Sequence, residues 1–144
     1  MSWTSSRVQR PETKARARAL QLLYAWDLSG HPSIETVVGR FAAACGRPPE
    51  GYDRGAELAA QAIAGVPEFD ARVADAAEHW RLERVGVVER NILRLALAEL
   101  AEGSTPPRVV IDEAVKLAHW FAGAKAPGFV NGVLDAVARE SGAL

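Results

Sequence analysis

Residues 87–101 read VVERNILRLALAELA, and this stretch decides the fold. Its apolar side chains lie around most of the circumference of a helix, which is typical of a helix buried at the centre of a domain. They are Val88, Ile92, Leu93, Leu95, Ala96, Leu97 and Leu100. We therefore predict a central helix over 87–101, with other helices packed around it.

The rest of the chain shows the same helical periodicity, and no segment has a convincing strand pattern. Pro11 suits the first position of a helix whose apolar stripe continues to Trp26. Glycine and proline clusters mark loops near 29–32, 46–51, 103–107 and 123–128. The predicted helices cover about 11–28, 33–45, 53–64, 67–80, 87–101, 108–122 and 129–139. We therefore predict an all-α fold of about seven helices, whose short connections favour antiparallel neighbours in a bundle.

Length and composition are those of one ordinary globular domain. The chain has 144 residues, 49% of them hydrophobic and 24% charged. No apolar run reaches the roughly 18 residues needed to cross a bilayer, and the first residues lack the apolar region of a signal peptide. Cys45 is the single cysteine, which excludes an internal disulfide and fits a reducing compartment. We therefore predict a cytoplasmic protein that does not enter membranes.

Charge is distributed unevenly along the chain. Residues 1–18 contain five basic side chains and one acidic one, a local charge of +4, although the whole chain carries −1. The other 126 residues therefore sum to −5. A basic arm on an acidic body indicates an anionic partner, with a basic second partner as a further possibility. A solvated arm without a ligand is the alternative.

Motifs for catalysis and metal binding are absent from the sequence. It contains no glycine-rich phosphate loop, no G-x-S-x-G elbow and no H-E-x-x-H zinc motif. The three histidines and Cys45 lack the spacing of metal ligands. We expect the carboxylates to lie on exposed helical positions, with Asp112 and Lys116 paired at i,i+4 spacing. The sequence thus predicts no enzyme activity, no cofactor and no metal site.

Three segments of the chain follow one another in a distinctive order. They are ARARALQLLY at 15–24, ERNILRLALAEL at 89–100, and PRVVIDEAVKLA at 107–118, which leads through a loop into FVNGVLD at 129–135. In this order they resemble the first helix, the buried central helix and the closing signature of the NusB family of transcription antitermination factors. The resemblance covers about residues 12–140.

This resemblance implies a single domain of two packed helical subdomains, about 12–80 and 81–144, preceded by a basic arm over about 1–11. It implies binding to the single-stranded boxA element of nascent ribosomal RNA transcripts. It also implies a complex with the ribosomal protein NusE, which joins NusA, NusG and RNA polymerase. An apolar face that closes a homodimer of the free protein is left open.

Single-stranded RNA requires cations for its phosphates and flat side chains for its unstacked bases. Lys14, Arg18 and Gln21 fall within an arc of about 60° on the first helix. By resemblance, Lys14 and Arg16 match basic positions of the family's RNA-binding arm, and Tyr24 matches its aromatic residue. The family can be basic where this chain has Glu12 and Thr13, whose role the sequence leaves open. Arg7 and Arg10, just upstream, are expected to compensate.

The resemblance adds a second RNA-binding segment and a protein-binding face. Lys125 and Phe129 match family positions near bound RNA, although Phe129 could instead only pack the start of its helix. Glu83 and Glu89 match positions that face NusE, with a solvated helix face as the alternative. The predicted RNA-binding residues are Arg10, Lys14, Arg16, Arg18, Gln21, Tyr24, Lys125 and Phe129. Two other functions stay open, namely a NusB-like module related to ribosomal RNA cytosine methyltransferases and a helical adaptor that never binds RNA.

Overall fold

The computed structural model describes residues 11–46, 51–77 and 85–144, and these residues form seven α-helices without a strand. In chain order they are α1 (Pro11–Leu28), α2 (Ile34–Cys45), α3 (Tyr52–Ala64), α4 (Val66–Ala76), α5 (Val87–Glu102), α6 (Pro107–Phe121) and α7 (Ala126–Glu140). The all-α prediction and the helix number are therefore confirmed for the described part of the chain. Helix α4 ends at Ala76 with Ala77 as its C-cap, earlier than the predicted end near residue 80, and residues 78–80 lie outside the described part.

Helix α5 is the centre of the domain, as its sequence predicts. It packs against α1, α3 and α4, which precede it in the sequence, and against α6 and α7, which follow it. Ile92, Leu93 and Leu97 are completely buried. The division into two subdomains stays a prediction, because α5 contacts helices of both halves.

Helices α1 and α3 pack unusually close together, and a glycine makes this possible. A Cβ atom at Gly55 would lie 2.7 Å from the Cβ of Arg18 and 3.0 Å from the backbone oxygen of Ala15. No larger residue fits without moving α3 away from α1. The close approach fixes the orientation of α1, and therefore the direction in which its polar side chains point.

Helix α7 begins three residues earlier than the sequence predicts. Pro127 lies in its first turn, where a missing backbone N–H costs no helical hydrogen bond. Lys125 is the N-cap residue, and its carbonyl oxygen accepts a hydrogen bond from the backbone N–H of Phe129 at 3.3 Å. The predicted loop is therefore shorter, and Lys125 is held directly at the start of a helix. Among the described helices, none is long and apolar enough to span a membrane.

Candidate nucleic-acid interface

The outer face of α1 carries four of the predicted RNA-binding residues. Lys14, Arg18 and Gln21 are half-buried, and Tyr24 is 42% exposed. The Nη1 of Arg18 donates a hydrogen bond to the Oε1 of Gln21 at 3.1 Å, which holds the two side chains side by side. This face therefore presents cations next to an exposed aromatic ring. The predicted contact Arg10 lies outside the described residues.

Arg16 does not lie on this face but in the interior, and its predicted RNA contact stays a prediction. Only 5% of the residue is exposed. Its Nε and Nη2 each donate to a carboxylate oxygen of Glu99 at 2.8 Å, and its Nη1 donates to Glu113 at 3.0 Å. The guanidinium is thus engaged by two buried acids. Phosphate binding would require breaking these ion pairs, and a buried carboxylate would lose its partner.

Glu113 joins the first turn of α1 to α6. Its Oε1 accepts a hydrogen bond from the hydroxyl of Thr13, and its Oε2 lies 2.9 Å from the Nζ of Lys116. Burial acts to raise the pKa of Glu113, but hydrogen bonds from Thr13 and Lys116 and the charges of Lys116 and Arg16 outweigh it and lower the pKa. Thr13, whose role the sequence left open, therefore anchors the start of the helix.

Two expectations about charged side chains are corrected by these contacts. Lys116 pairs with Glu113 at i,i+3 and not with Asp112, which is exposed. The carboxylates are not all on exposed positions, because Glu99 and Glu113 are buried. Sequence spacing along one helix could not show this, since the partner Arg16 comes from α1.

A second ion network ties α1 to α4 and α5, and the sequence analysis missed it entirely. Asp27 accepts hydrogen bonds from Arg90 at 2.9 Å and from Arg94 at 3.1 Å, and Arg94 also binds Asp70 through two contacts of 2.7 and 2.8 Å. His31 lies 2.8 Å from Asp27. Burial acts to raise the pKa of Asp27, but the bonds from His31 and Arg90, with the charges of Arg90 and Arg94, lower it to about 2.

His31 also closes the end of α1 against Trp26. It has a positive φ of 61°, and its ring stacks on the Trp26 ring with a centroid separation of 3.8 Å and an interplanar angle of 4°. The charge of Arg94 lies 5.9 Å from the centroid of the same tryptophan ring. These contacts make His31 a cap residue of α1. No group of three potential metal ligands occurs among the residues that the structure describes.

An apolar pocket opens beside α1, and its lining residue Gln21 is bound by Arg18. It has a volume of about 620 Å³. We call it the α1 pocket, and its lining residues are Leu20, Gln21, Tyr24 and Ala25 of α1, Phe41 of α2, Val88 of α5 and Phe121 of α6. The pocket brings together two predicted RNA-binding residues, Gln21 and Tyr24. No sequence pattern indicated it, because its walls come from four helices.

The other predicted residues lie close in sequence to residues that line the α1 pocket. Lys125 is exposed and follows Phe121 by four residues, and Phe129 is half-buried against the core. Glu89 follows Val88 directly, and its Oε2 accepts a hydrogen bond from the backbone N–H of Gly86 at 3.3 Å. Glu89 therefore caps α5 in addition to any role in binding. Glu83 lies outside the described residues.

Sequence comparison relates the chain to one protein family over almost its whole length. Residues 13–139 match the sequence model of the NusB family. The transcription antitermination protein NusB of Solibacter usitatus is 43% identical over 129 residues, which is 88% of each chain. That of Anaeromyxobacter dehalogenans is 39% identical over 131 residues, covering 88% of this chain and 89% of the relative.

Comparison with solved structures shows the same relationship in three dimensions. NusB of T. maritima superimposes with a TM-score of 0.76 at 26% identity, covering 92% of this chain and 94% of that one. A crystal structure of the antitermination factors NusB and NusE in complex with double-stranded RNA gives a TM-score of 0.76 at 32% identity, covering 92% and 99%. Sequence and overall fold thus agree, and the chain belongs to the NusB family.

Proposed function

We propose that the protein is a transcription antitermination factor that binds the single-stranded boxA element of nascent ribosomal RNA transcripts together with NusE. One observation carries the RNA part of this proposal. Arg18 binds Gln21, which lines an apolar pocket together with Tyr24, and Lys14 lies one turn before Arg18 on the same helix. Cations for phosphates and aromatic faces for unstacked bases are what single-stranded RNA requires. The relatives named for transcription antitermination support the biological role.

The proposed RNA-binding set is smaller than the sequence-based set, because Arg16 is removed from it. The remaining residues are Arg10, Lys14, Arg18, Gln21, Tyr24, Lys125 and Phe129. In this scheme Arg16 acts indirectly, since its ion pairs with Glu99 and Glu113 hold α1 in place.

The proposed protein partner is NusE, and the larger assembly is the antitermination complex with NusA, NusG and RNA polymerase. A related structure contains NusB, NusE and RNA together, which supports this assignment. Glu83 and Glu89 are the proposed contacts, since a ribosomal protein is basic and these side chains are acidic. The protein then acts as an adaptor without catalysis, in the cytoplasm, where bacterial transcripts are made.

The first prediction concerns the salt dependence of RNA binding. If Arg10, Lys14, Arg18 and Lys125 each contact a phosphate, log affinity falls with log salt at a slope of about −3, from roughly 0.7 per contact on a single strand. Lys14→Ala should reduce that slope by about 0.7. The measurement is a titration of boxA-like single-stranded RNA at four or more salt concentrations.

Arg139→Ala is the matched control for this titration. Arg139 is an exposed arginine at the end of α7, paired with Asp135 at 2.8 Å, so its loss removes a positive charge away from the proposed site. The same RNA annealed to its complement tests the preference for single strands. A slope near zero, or an equal response to Lys14→Ala and Arg139→Ala, contradicts the proposed site. Undetectable RNA binding combined with retained NusE binding would favour the adaptor that never binds RNA.

The second prediction separates the two partners. RNA and NusE are expected to bind different faces and to raise each other's affinity by the same factor, about 5- to 150-fold for a typical coupling. Glu89→Gln should abolish the gain in RNA affinity that NusE provides and leave the affinity without NusE unchanged. Glutamine is the appropriate replacement because it removes the charge but can still accept the hydrogen bond from Gly86.

The control for Glu89→Gln is Glu102→Gln, an exposed acid at the opposite end of the same helix. RNA is titrated into the wild type and both variants, each with and without NusE. Competition between NusE and RNA would refute the two-face arrangement. A gain that survives Glu89→Gln would remove Glu89 from the NusE contact.

A further inference from the structure

The α1 pocket has the chemistry of a site for flat, uncharged rings. Three of its seven lining residues are aromatic: Tyr24 from α1, Phe41 from α2 and Phe121 from α6. None of the seven is charged, and Gln21 is the one amide among them. A volume of about 620 Å³ is within the range of pockets that take small ligands, roughly 300–1,000 Å³.

One cation, Arg18, lies next to a lining residue of this pocket. Lys14 and Arg18 precede Gln21 on the same arc of α1, and the Nη1 of Arg18 binds the Oε1 of Gln21 at 3.1 Å. With Oε1 held by Arg18, the amide NH2 of Gln21 is the group that can donate to an acceptor entering the pocket. The site thus combines apolar ring faces, one hydrogen-bond donor and an adjacent cation.

We propose that the α1 pocket receives an unstacked base of the bound single-stranded RNA, with Phe41 and Phe121 as base-contacting residues in addition to Tyr24. This inference rests on the proposed RNA-binding function and deepens it. A base offers flat faces to the aromatic rings and ring nitrogens or carbonyl oxygens to Gln21. Its own phosphate then lies toward the cations of α1. An apolar protein segment would fill the same volume but would make no use of the Gln21 amide or of the neighbouring Arg18.

Two kinds of contact then contribute separately to RNA recognition. The phosphate contacts of the arm and of Lys125 supply affinity that depends on salt but not on sequence. The α1 pocket supplies a contact to one base, which is independent of salt and specific for the position of that base in the RNA. The two contributions can therefore be separated by experiment.

Ala25→Leu tests the proposal by filling the pocket. Ala25 is half-buried in the lining, and leucine adds apolar atoms to the pocket without removing a cation or an aromatic ring. RNA affinity should fall about ten-fold or more, in line with the loss of a base–aromatic contact. The slope of log affinity against log salt should stay at the wild-type value. The matched control is Ala71→Leu, at an exposed position of α4, which should bind RNA as the wild type does.

A scan with single abasic sites along the boxA-like RNA tests the same proposal without changing the protein. One position, or two adjacent ones, should weaken binding to the wild type about ten-fold. The same abasic RNA should cause little further loss with Ala25→Leu, because the pocket is already closed. Wild-type affinity that is insensitive to every abasic site overturns the proposal, as does Ala25→Leu binding like Ala71→Leu.

The experiments distinguish an error in the base-pocket proposal from an error in the proposed RNA-binding function. RNA binding with a steep salt dependence but no response to Ala25→Leu eliminates only the base pocket. No RNA binding by the wild type eliminates both. Unchanged RNA binding combined with weaker NusE binding, or with loss of self-association in sedimentation, would assign the pocket to a protein surface and overturn the proposal.

Discussion

Arg16→Ala is expected to destabilise the fold by about 3–5 kcal/mol, because it leaves the buried carboxylate of Glu99 without its partner and removes one of the partners of Glu113. Glu99 would lose both hydrogen bonds that Arg16 donates to it, and Glu113 would retain Thr13 and Lys116. A single buried ion pair is weak support for a fold, but removal of one partner exposes the full cost of burying the other charge. The measurement is the free energy of unfolding in urea.

Lys14→Ala is the control for this substitution, since Lys14 lies two residues earlier on the outer face of the same helix. It should change the free energy of unfolding by no more than about 0.5 kcal/mol. Arg16→Lys should lie between the wild type and Arg16→Ala, because lysine keeps the charge but cannot bind Glu99 with two parallel hydrogen bonds. Unchanged stability of Arg16→Ala, together with lost RNA binding, would return Arg16 to the RNA surface.

Leu93→Ala in the central helix is expected to cost about 2–5 kcal/mol. Leu93 is completely buried in α5, which contacts helices from both halves of the chain. Its truncation removes apolar contacts and leaves a cavity that the surrounding helices can close only in part. The denaturant midpoint should fall while the m-value stays constant, since the surface exposed on unfolding hardly changes.

Leu28→Ala provides the matched control, because the same side chain is removed where it is 61% exposed at the end of α1. It should cost little, since most of that side chain remains in water in the folded protein. Equal losses for Leu93→Ala and Leu28→Ala would contradict the central position of α5.

Local signals in the sequence were sufficient to predict the helices and the identity of the central one. The apolar pattern over 87–101 indicated a helix buried on most sides, and Ile92, Leu93 and Leu97 are buried in α5. This works because helical periodicity and capping depend on residues only three or four positions apart. The resemblance to the NusB family also came from short contiguous segments, which can be identified without knowing the tertiary structure.

The burial of individual basic residues could not be predicted from the sequence, because Arg16 and Arg18 look equivalent there but have different surroundings in the fold. Arg16 points at Glu99 and Glu113, which lie 83 and 97 residues further along the chain. Arg18 binds Gln21, three residues away on the same helix. No local pattern can reveal a partner at the longer separation, since it depends on how α1 packs against α5 and α6.

The sequence by itself determined which segments become helices, which of them is buried, and that positive charge is concentrated at the start of the chain. Only the tertiary structure decided which of those charges are buried. Helix α1 packs closely against α3 at Gly55, and in this arrangement Arg16 is buried beside the buried acids Glu99 and Glu113. The α1 pocket has the same origin, because four helices must meet before its walls exist. Burial and charge pairing across helices are properties of the packed domain, and a linear pattern does not contain them.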